Sequence, residues 1–412
     1  MGDKRLGIGF VGSGFVARFH IQSLVSVRDC EVAAISSPTR EHAESAAALA
    51  HDLGVGEAKV YGSVGEMVAD PAVDAVWICS PNDTRVAVVE EISDAVSKGG
   101  ELLGVACEKP LARNVAEGRR MLALAKKAGL RHGYLENQVF QPALVRGKDI
   151  IWRRAVPIVG RPYLARAAEE HSGPHMPWFW SGEQQGGGVL NDMLCHSYEA
   201  ARHLLTGPDE SRDALRVMDV NAQIASLKWT RPEYIEILRE QSGGQVDYAR
   251  AAAEDFARAT VRLRTPEGLT ALVEATTSWS FVGPGLRLRM ELLGPEYSMQ
   301  VDTLVSELAV FLSRRVSGTE GEDLVEKQNA EQGLMPVVPD EPASYGYVAE
   351  NRHMVRAFLD GREPAETWED GLAVTEVLMA CYLSAEQGRT IGFPAPELET
   401  FVPEVARGVW RG

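Results

Sequence analysis

The chain has 412 residues, more than one hydrophobic core usually serves, so two domains with a cleft between them are expected. Its net charge of -16 argues against nucleic acid and anionic membrane surfaces as partners. The five cysteines are odd in number and form no C-x-x-C pair, and no apolar run approaches bilayer length. The start of the chain is unlike a signal peptide. We therefore expect a cytoplasmic protein without a disulfide framework or zinc cluster.

A glycine turn follows the first predicted strand. Leu6 to Val11 is a short apolar run, and a G-x-G-x-x-A motif beginning at Gly12 leads from it into a helical pattern. In this context the first glycine makes a tight turn, and the second lets the backbone approach a pyrophosphate at the helix N-terminus. The motif favours a nicotinamide cofactor over a plain turn, with expected contacts from Gly12, Ser13, Gly14, Phe15 and Val16.

The tip of the second predicted strand, Glu31 to Ile35, bears on the choice of cofactor. An acidic residue about 20 positions beyond the glycines is the usual partner of a ribose 2′-hydroxyl. This chain instead offers Ser36, Ser37 and Arg40. Hydroxyls and a guanidinium suit a 2′-phosphate, so NADP is mildly favoured over NAD. In the alternative interpretation, Arg40 is only a solvated residue at the start of a helix.

Two further apolar strands end in short polar loops. Val73 to Cys79 leads into Ser80-Pro81-Asn82, and Leu102 to Cys107 leads into Glu108-Lys109-Pro110. Ligands of such sheets bind at the carboxyl ends of the strands, so all six loop residues except Pro110 are expected cofactor contacts. Lys109 should project into the crevice where the nicotinamide lies, and an E-K-P sequence at the end of an apolar parallel strand favours this position over that of a plain surface lysine.

A second motif follows three glycines in mid-chain, in the segment Gly186-Gly187-Gly188-Val189-Leu190-Asn191-Asp192-Met193-Leu194-Cys195-His196. Asp192 and His196 are four positions apart, which places both on one face of a helix. A carboxylate and an imidazole in hydrogen-bonding reach form a proton acceptor whose tautomer is held. The competing interpretation is a satisfied core histidine beside an acid at a helix N-terminus.

Aromatic residues precede this motif, and three of them are contiguous after Pro177. Such rings stack on the apolar face of a sugar, which makes His175, Trp178 and Trp180 candidate substrate contacts. A packed plug under the glycine loop is the alternative. His171 and His175 have ligand-like spacing, but Gly173-Pro174 breaks any helix between them, so we expect no metal site.

The later part of the chain predicts a different kind of sheet. Alternating strands at Phe256 to Leu263 and Leu269 to Thr277 are joined by a short Pro-Glu-Gly turn, and Leu286 to Leu293 and Tyr297 to Leu304 meet at Gly294-Pro295-Glu296. Short connections of this type produce antiparallel hairpins.

Taken together and in this order, the motifs at Gly12, Ser80, Glu108 and Gly186 resemble those of the Gfo/Idh/MocA oxidoreductases. The resemblance implies an α/β fold: an N-terminal Rossmann doubly wound parallel sheet (residues 1–135) and a C-terminal α/β domain with an open, mainly antiparallel sheet (residues 136–412). It also implies NAD(P), a small-molecule carbohydrate substrate and a homo-oligomer. Asn137 joins the expected cofactor contacts. One departure is Arg85, where many members have a histidine.

The expected reaction is hydride transfer between NAD(P) and a secondary hydroxyl of a sugar, glycoside or cyclitol, with the 3-hydroxyl of a glycoside as one candidate. His196 would take the hydroxyl proton, Asp192 would orient its ring, and Lys109 would stabilise the alkoxide. Two other hypotheses stay open. The cofactor could remain bound during redox-assisted glycoside cleavage or hydride exchange between sugars, or the protein could be a non-enzymatic NAD(P)-binding or sugar-binding regulator.

Overall fold

The computed structural model describes residues 5–174, 176–305, 308–312, 333–338 and 340–412. The chain forms two compact units. The first comprises Met1–Gln141 and Tyr345–Thr375, and the second comprises Pro142–Ser344 and Glu376–Gly412. Within the described ranges, no helix combines the length and hydropathy that a membrane span requires.

A six-stranded, all-parallel sheet forms the centre of the first unit. Its order is β3-β2-β1-β4-β5-β6, so that β1, β4 and β5 are successive neighbours. β1 and β4 are apolar and fully buried, as strands covered on both faces must be. The strands are β1 (Leu6–Val11), β2 (Cys30–Ser36), β3 (Lys59–Tyr61), β4 (Ala75–Ile78), β5 (Gly104–Glu108) and β6 (Arg131–Leu135).

Helices connect these parallel strands. They are α1 (Phe15–Ser23), α2 (Arg40–Asp52), α3 (Val64–Val68), α4 (Arg85–Ser97) and α5 (Val115–Lys127). The Ser63 hydroxyl accepts from the Glu66 N–H, and the Asn114 side chain accepts from the Glu117 N–H. These caps satisfy helix-start donors that have no partner within the helix. The alternation of strand and helix confirms the predicted Rossmann sheet, whose carboxyl edge carries the glycine turn and the two polar loops.

A mixed, seven-stranded sheet forms the second unit, with the order β12-β11-β7-β10-β9-β8-β15. The pairing of β7 with β10 is parallel, and every other pairing in this sheet is antiparallel. This confirms the mainly antiparallel sheet. The strands are β7 (Leu164–Glu170), β8 (Arg216–Ala225), β9 (Phe256–Arg264), β10 (Thr270–Ser278), β11 (Arg287–Gly294), β12 (Tyr297–Asp302) and β15 (Ile391–Gly392), with β13 (Leu308–Leu312) and β14 (Gly333–Val337) as a separate antiparallel pair.

In the second unit, helix α9 packs on strands β7 and β10 of this sheet. A π-helical turn, Leu190–Leu194, leads directly into α9. The α-helices are α6 (Pro142–Ile150), α7 (Val156–Val159), α8 (Gly182–Gln185), α9 (Cys195–Leu205), α10 (Pro232–Gln241) and α11 (Glu341–Ser344). A second π-helical segment, Ile151–Ala155, lies between α6 and α7.

Two C-terminal helices follow, α12 (Tyr347–Leu359) and α13 (Trp368–Gln387). The prediction assigned all residues after 135 to the second domain, whereas α12 and the first part of α13 group with the first unit. The reason is specific packing. The Trp77 indole donates to the Asn351 side chain at 2.9 Å, and Phe358 packs edge-on against Trp77. A Cβ at Gly104 would lie 2.5 Å from the Phe358 ring, so this strand position accommodates the approaching helix.

Candidate active site

The glycine turn in the first unit has the geometry of a phosphate cradle. Gly12 has φ +98°, and a Cβ there would lie 2.9 Å from the backbone of Cys79. Gly14 is the N-cap of α1, and a Cβ added there would have no other heavy atom within 4 Å. The first turn of α1 has no acidic residue and its cap has no side-chain hydrogen bond. Open space beside Gly14, at a helix start that has no side-chain cap, fits a pyrophosphate.

The tip of β2 lies against this turn. The Gly12 N–H donates to the Ser36 carbonyl at 2.8 Å, and the Ser13 and Ser37 hydroxyls are 2.9 Å apart. Arg40, by contrast, is 74% exposed and donates to Glu44 at 2.8 Å. The structure thus joins the two predicted serines to the glycine turn, while the predicted guanidinium belongs to a surface ion pair on α2.

Arg85 has a function that the sequence did not reveal. It is 3% exposed, and its guanidinium donates to the Ser80 carbonyl at 3.1 Å and to the Glu108 carbonyl at 2.5 Å. It also donates to the Pro110 carbonyl and, at 3.4 Å, to the Lys109 carbonyl. Four backbone oxygens at the ends of β4 and β5 therefore share one buried cation. The segment around Lys109 is held as a rigid corner, which we call the Arg85 corner.

The Glu108 side chain completes this corner from inside the unit. It is 4% exposed, its Oε1 lies 2.8 Å from His20 Nε2, and its Oε2 accepts from the Lys109 N–H at 3.0 Å. Burial by itself would raise the pKa of Glu108, but the hydrogen bond and charge of His20, with the charges of Lys109 and Arg85, lower the pKa below its ordinary value. A charged Glu108 carboxylate thus lies next to Lys109, which is itself half-buried.

The remaining predicted cofactor residues lie on the first unit with varied exposure. Asn82 and Asn137 are buried at 1% and 6% exposure, and the Asn137 amide donates to the Tyr345 carbonyl at 2.8 Å. Phe15 is 39% exposed and stacks on Phe19. Ser80 is buried, while Val16 and Pro81 are half-buried. Asn137 therefore has a structural partner within the unit, and cofactor contact at these positions stays a prediction.

In the second unit, the second motif begins with the π-helical turn rather than with a regular α-helix. Asp192 lies in that turn and His196 in the first turn of α9, and both are buried, at 3% and 4% exposure. The Trp279 indole donates to Asp192 Oδ2 at 3.3 Å. Single π-turns within helices occur often at functional sites. Trp279 is a partner that the sequence analysis missed, and orientation of the His196 ring by Asp192 stays a prediction.

A buried carboxylate holds the glycine loop before this turn. Glu254 Oε1 accepts the N–H groups of Gly188 and Leu190, both at 3.0 Å, and the Tyr382 hydroxyl at 2.6 Å. The same hydroxyl accepts from the N–H groups of Gly188, at 3.0 Å, and Asn191, at 3.3 Å. We call this arrangement the Glu254 clamp. It positions the backbone that carries Asp192.

The Glu254 clamp also explains two of the three glycines. A Cβ at Gly187 would lie 1.9 Å from the Tyr382 hydroxyl, and a Cβ at Gly188 would lie 2.5 Å from the Glu254 carbonyl. Burial raises the pKa of Glu254 to about 7, although hydrogen bonds from Tyr382, Leu190 and Gly188 lower it. Burial likewise raises the pKa of Tyr382 well above its usual value. Glu254 and Tyr382 carry no sequence signature, because one precedes a strand and the other lies inside an apolar helix.

The predicted aromatic substrate residues differ in their surroundings. Trp180 is 4% exposed and packs against Trp229 and Trp279, with ring centroids 5.1 Å apart in both cases. Trp178 is half-buried and stacks on Phe179 at 3.8 Å. His175 lies outside the described residues. His171 Nδ1 accepts from the Gly173 N–H at 2.9 Å, so a local turn uses this ring nitrogen.

Comparison with known proteins gives a consistent result for both units. The model described as "Oxidoreductase family, NAD-binding Rossmann fold" matches residues 6–135, and the "GFO/IDH/MocA C-terminal domain" matches residues 158–300. The 1,5-anhydro-D-fructose reductase of Ensifer adhaerens is 31% identical over 214 residues, which are 51% of this chain and 59% of that reductase. The myo-inositol 2-dehydrogenase of Thermotoga maritima is 27% identical over 252 residues, 60% of this chain and 70% of that enzyme.

Among solved structures, GenD2 from gentamicin A biosynthesis, in complex with NAD, is 25% identical to this chain and has a TM-score of 0.76. The likeness covers 95% of this chain and 97% of GenD2. The family resemblance inferred from the motifs is therefore confirmed across both units.

Proposed function

The chain belongs to the Gfo/Idh/MocA family of oxidoreductases, and from that premise we propose that it transfers a hydride between NAD(P) and a secondary hydroxyl of a sugar, glycoside or cyclitol. The names of the matched reductase and inositol dehydrogenase support this substrate class. The 3-hydroxyl of a glycoside is the position that we propose to test first.

The Arg85 corner is the observation that carries the proposal. Within the first unit, β1, β4 and β5 are neighbours, and their carboxyl ends carry Gly12, Ser80 and Lys109 in turn. Arg85 bonds the backbone at the end of β4 to the backbone after β5. Lys109 and the glycine turn therefore lie at the carboxyl ends of strands in the same sheet, and Arg85 holds the backbone around the lysine. This position suits contact with the reacting end of a bound dinucleotide.

The residues present fit a nicotinamide dinucleotide. The open space at Gly14 and the uncapped start of α1 suit the pyrophosphate. Ser36, Ser37 and Arg40 lie where the adenosine ribose is expected, and we propose NADP as the preferred form. In that case Arg40 exchanges its surface partner Glu44 for the 2′-phosphate. When bound, the oxidised nicotinamide supplies the hydride acceptor.

Three side chains divide the work in the proposed mechanism. His196 accepts the proton of the substrate hydroxyl while the carbinol carbon loses its hydride, so the alcohol becomes a ketone. Asp192, held by the Trp279 indole and the Glu254 clamp, supports the charge that develops on His196. Lys109 donates a hydrogen bond to the same oxygen and stabilises its alkoxide character. Reduction uses the same groups in reverse.

The test is a panel of free sugars, cyclitols and glycosides, each assayed with NAD⁺ and NADP⁺ by the absorbance of the reduced nicotinamide. We expect turnover of at least one member and its loss in Lys109→Met, which keeps much of the side-chain volume. Exposed Lys127→Met is the matched control. Binding of nucleotide and sugar without turnover of any member would overturn the proposal in favour of a regulator. Ketone formation without accumulation of free reduced cofactor would indicate a retained cofactor.

A further inference from the structure

A separate cavity of about 460 Å³ lies within the second unit, beside α10. Its walls combine aromatic rings, one lysine and a few polar side chains, and the residues that matter here are Ser172, Trp180, Lys228, Trp229, Tyr234 and Gln241. We call it the Lys228 cavity. Its volume falls within the range of small-molecule sites, and among the described residues Trp180 is the predicted active-site residue that lines it.

The aromatic walls are fixed in place. Trp180 and Trp229 meet edge to face at 5.1 Å, and Trp229 meets Tyr234 at 5.9 Å. Each indole N–H is already used, by the Pro174 carbonyl at 3.2 Å and by the Trp279 carbonyl at 2.9 Å respectively. Because these donors are used inside the protein, the rings offer a preorganised apolar surface to the cavity. Such a surface suits the C–H face of a pyranose.

Lys228 supplies a cation that the backbone holds at this surface. The N–H groups of Leu227, Lys228 and Trp229 donate to the buried Asp255 carboxylate at 2.7, 2.8 and 2.9 Å. This fixes the turn from which the lysine projects. Its ammonium lies 4.4 Å from the Trp229 ring centroid and 5.0 Å from that of Tyr234.

The surroundings of this ammonium favour an anionic ligand. The salt bridges of the described ranges include none of Lys228, and Asp255, the acidic group whose charge acts on it, accepts from backbone N–H groups. Burial lowers the pKa of Lys228 below its ordinary value, against the opposing charge of Asp255. A half-buried cation that forms no salt bridge gains more from a bound anion than a fully exposed lysine would.

The same surroundings select among anions. One lysine neutralises a monoanion, whereas a phosphate dianion is usually met by several cations, an arginine fork or a helix N-terminus. The polar rim of the cavity, with Ser172 and Gln241, can hydrogen-bond hydroxyl groups. The chemistry on the walls therefore matches a carboxylate attached to a polyhydroxylated ring.

A chain of side-chain contacts leads from the cavity wall to the predicted catalytic carboxylate within the second unit. Trp180, which lines the cavity, packs on Trp279, and the Trp279 indole donates to Asp192. Only two aromatic residues separate the cavity from the predicted catalytic carboxylate. A sugar unit bound in the cavity would contact Trp180, which packs on the tryptophan that donates to Asp192.

We propose that the Lys228 cavity binds a hexuronate unit, so that the substrate is an acidic glycoside whose carboxylate pairs with Lys228. The inference rests on the proposed function for the identity of the substrate, but binding to the cavity can be measured without turnover.

The test compares methyl β-D-glucuronide with methyl β-D-glucoside. These probes differ in one carboxylate, and their binding is measured by calorimetry and tryptophan fluorescence without added nicotinamide nucleotide, so that no hydride can be transferred to an added acceptor. We expect the glucuronide to bind the full-length protein at least tenfold more tightly. Lys228→Met should abolish that preference, and Lys228→Arg should keep it. Gln241→Trp, which narrows the cavity at an exposed rim position, should weaken the binding of both probes.

Three results would overturn the inference: equal affinity of the unmodified protein for both probes, unchanged glucuronide affinity in folded Lys228→Met, or tighter binding of glucose 6-phosphate than of glucuronide. Thermal melting of each variant establishes that it is folded. Lys228-dependent glucuronide binding without oxidation of any sugar would overturn the proposed function but support the binding site. Oxidation of neutral glycosides, with no effect of Lys228→Met on the binding of either probe, would overturn the binding site but support the proposed function.

Discussion

The Arg85 corner in the first unit and the Glu254 clamp in the second both hold the backbone, but the first uses a hydrogen-bond donor and the second an acceptor. Each holds a backbone segment that carries a predicted catalytic residue, and each does so with buried ionisable side chains, Arg85 in the first and Glu254 with Tyr382 in the second. Arg85 donates to carbonyl groups around Lys109, whereas Glu254 accepts from N–H groups ahead of Asp192. The difference follows from the backbone groups that each element leaves without a partner.

A strand that ends at a sheet edge turns away from its neighbours and leaves carbonyl oxygens that need donors. A helix that begins after a glycine loop leaves N–H groups that need acceptors. A cation suits the first case and an anion or hydroxyl suits the second. The comparison shows that, in this chain, a buried ionisable side chain near a predicted site can hydrogen-bond the backbone without itself taking part in the predicted reaction.

The largest effect is expected at Lys109 and His196, which are predicted to take part in the reaction, rather than at the side chains that hold the backbone. Lys109→Ala and His196→Ala should each lower kcat by about 10²- to 10⁴-fold, because each removes a group that moves or stabilises a proton in the transition state. NAD(P) affinity, measured by fluorescence titration, should persist. Exposed Lys127→Ala and His42→Ala are the matched controls. Full turnover in both active-site variants would remove the assignment.

The Glu254 clamp should show itself in stability. A carboxyl whose pKa is about 7 when folded and 4.5 when unfolded binds more protons in the folded state, so its contribution to stability falls as pH rises from about 4.5 to 7. The fall amounts to about 3 kcal/mol. Glu254→Gln cannot titrate, so its stability relative to the unmodified protein should improve across this interval.

Urea denaturation of both proteins at pH 5 and pH 8 gives this difference, with exposed Glu233→Gln as the control. A stability difference between Glu254→Gln and the unmodified protein that does not change with pH would mean that Glu254 is charged throughout. Glu254 would then bind the backbone N–H groups as an anion, whereas Arg85 binds backbone carbonyl groups as a cation.

The Arg85 corner should show itself in catalysis. Arg85→Lys keeps the charge but cannot reach four carbonyl groups, so Lys109 should lose its position and kcat should fall between about ten- and a hundredfold. We expect kcat to fall more than nucleotide affinity. Arg161→Lys, at another arginine with a 7% exposed side chain, is the control for stability alone. An equal loss of kcat in both variants would assign Arg85 a purely structural function.

The smallest expected effect concerns the choice of cofactor and involves Arg40, which is exposed where Arg85 and Glu254 are buried. If Arg40 binds a 2′-phosphate, Arg40→Ala should lower kcat/KM for NADP by about tenfold relative to NAD, because a solvated charge pair is worth little. Glu44→Gln removes the present partner of Arg40 and should shift preference towards NADP. Unchanged NADP to NAD ratios in both variants would leave Arg40 as a surface residue.

Local patterns predicted the first unit well because they encode local structure. The apolar run at Leu6, the Gly12 turn and the caps at Ser63 and Asn114 each involve residues close in the chain. The parallel pairing of β7 with β10 and the return of α12 to the first unit were not foreseen. Both depend on packing between residues more than 100 positions apart, which no short pattern records.

The sequence alone determined the two kinds of sheet, the glycine cradle and the family, because periodicity and motif spacing are local properties. Tertiary structure decided which buried groups support them. In the sequence, Arg85 is a departure from a family pattern, whereas in the structure its guanidinium donates to the carbonyl groups around Lys109. Glu254, Tyr382 and Trp279 had no signal at all, since a buried hydrogen bond needs a partner in space and not a neighbour in the chain.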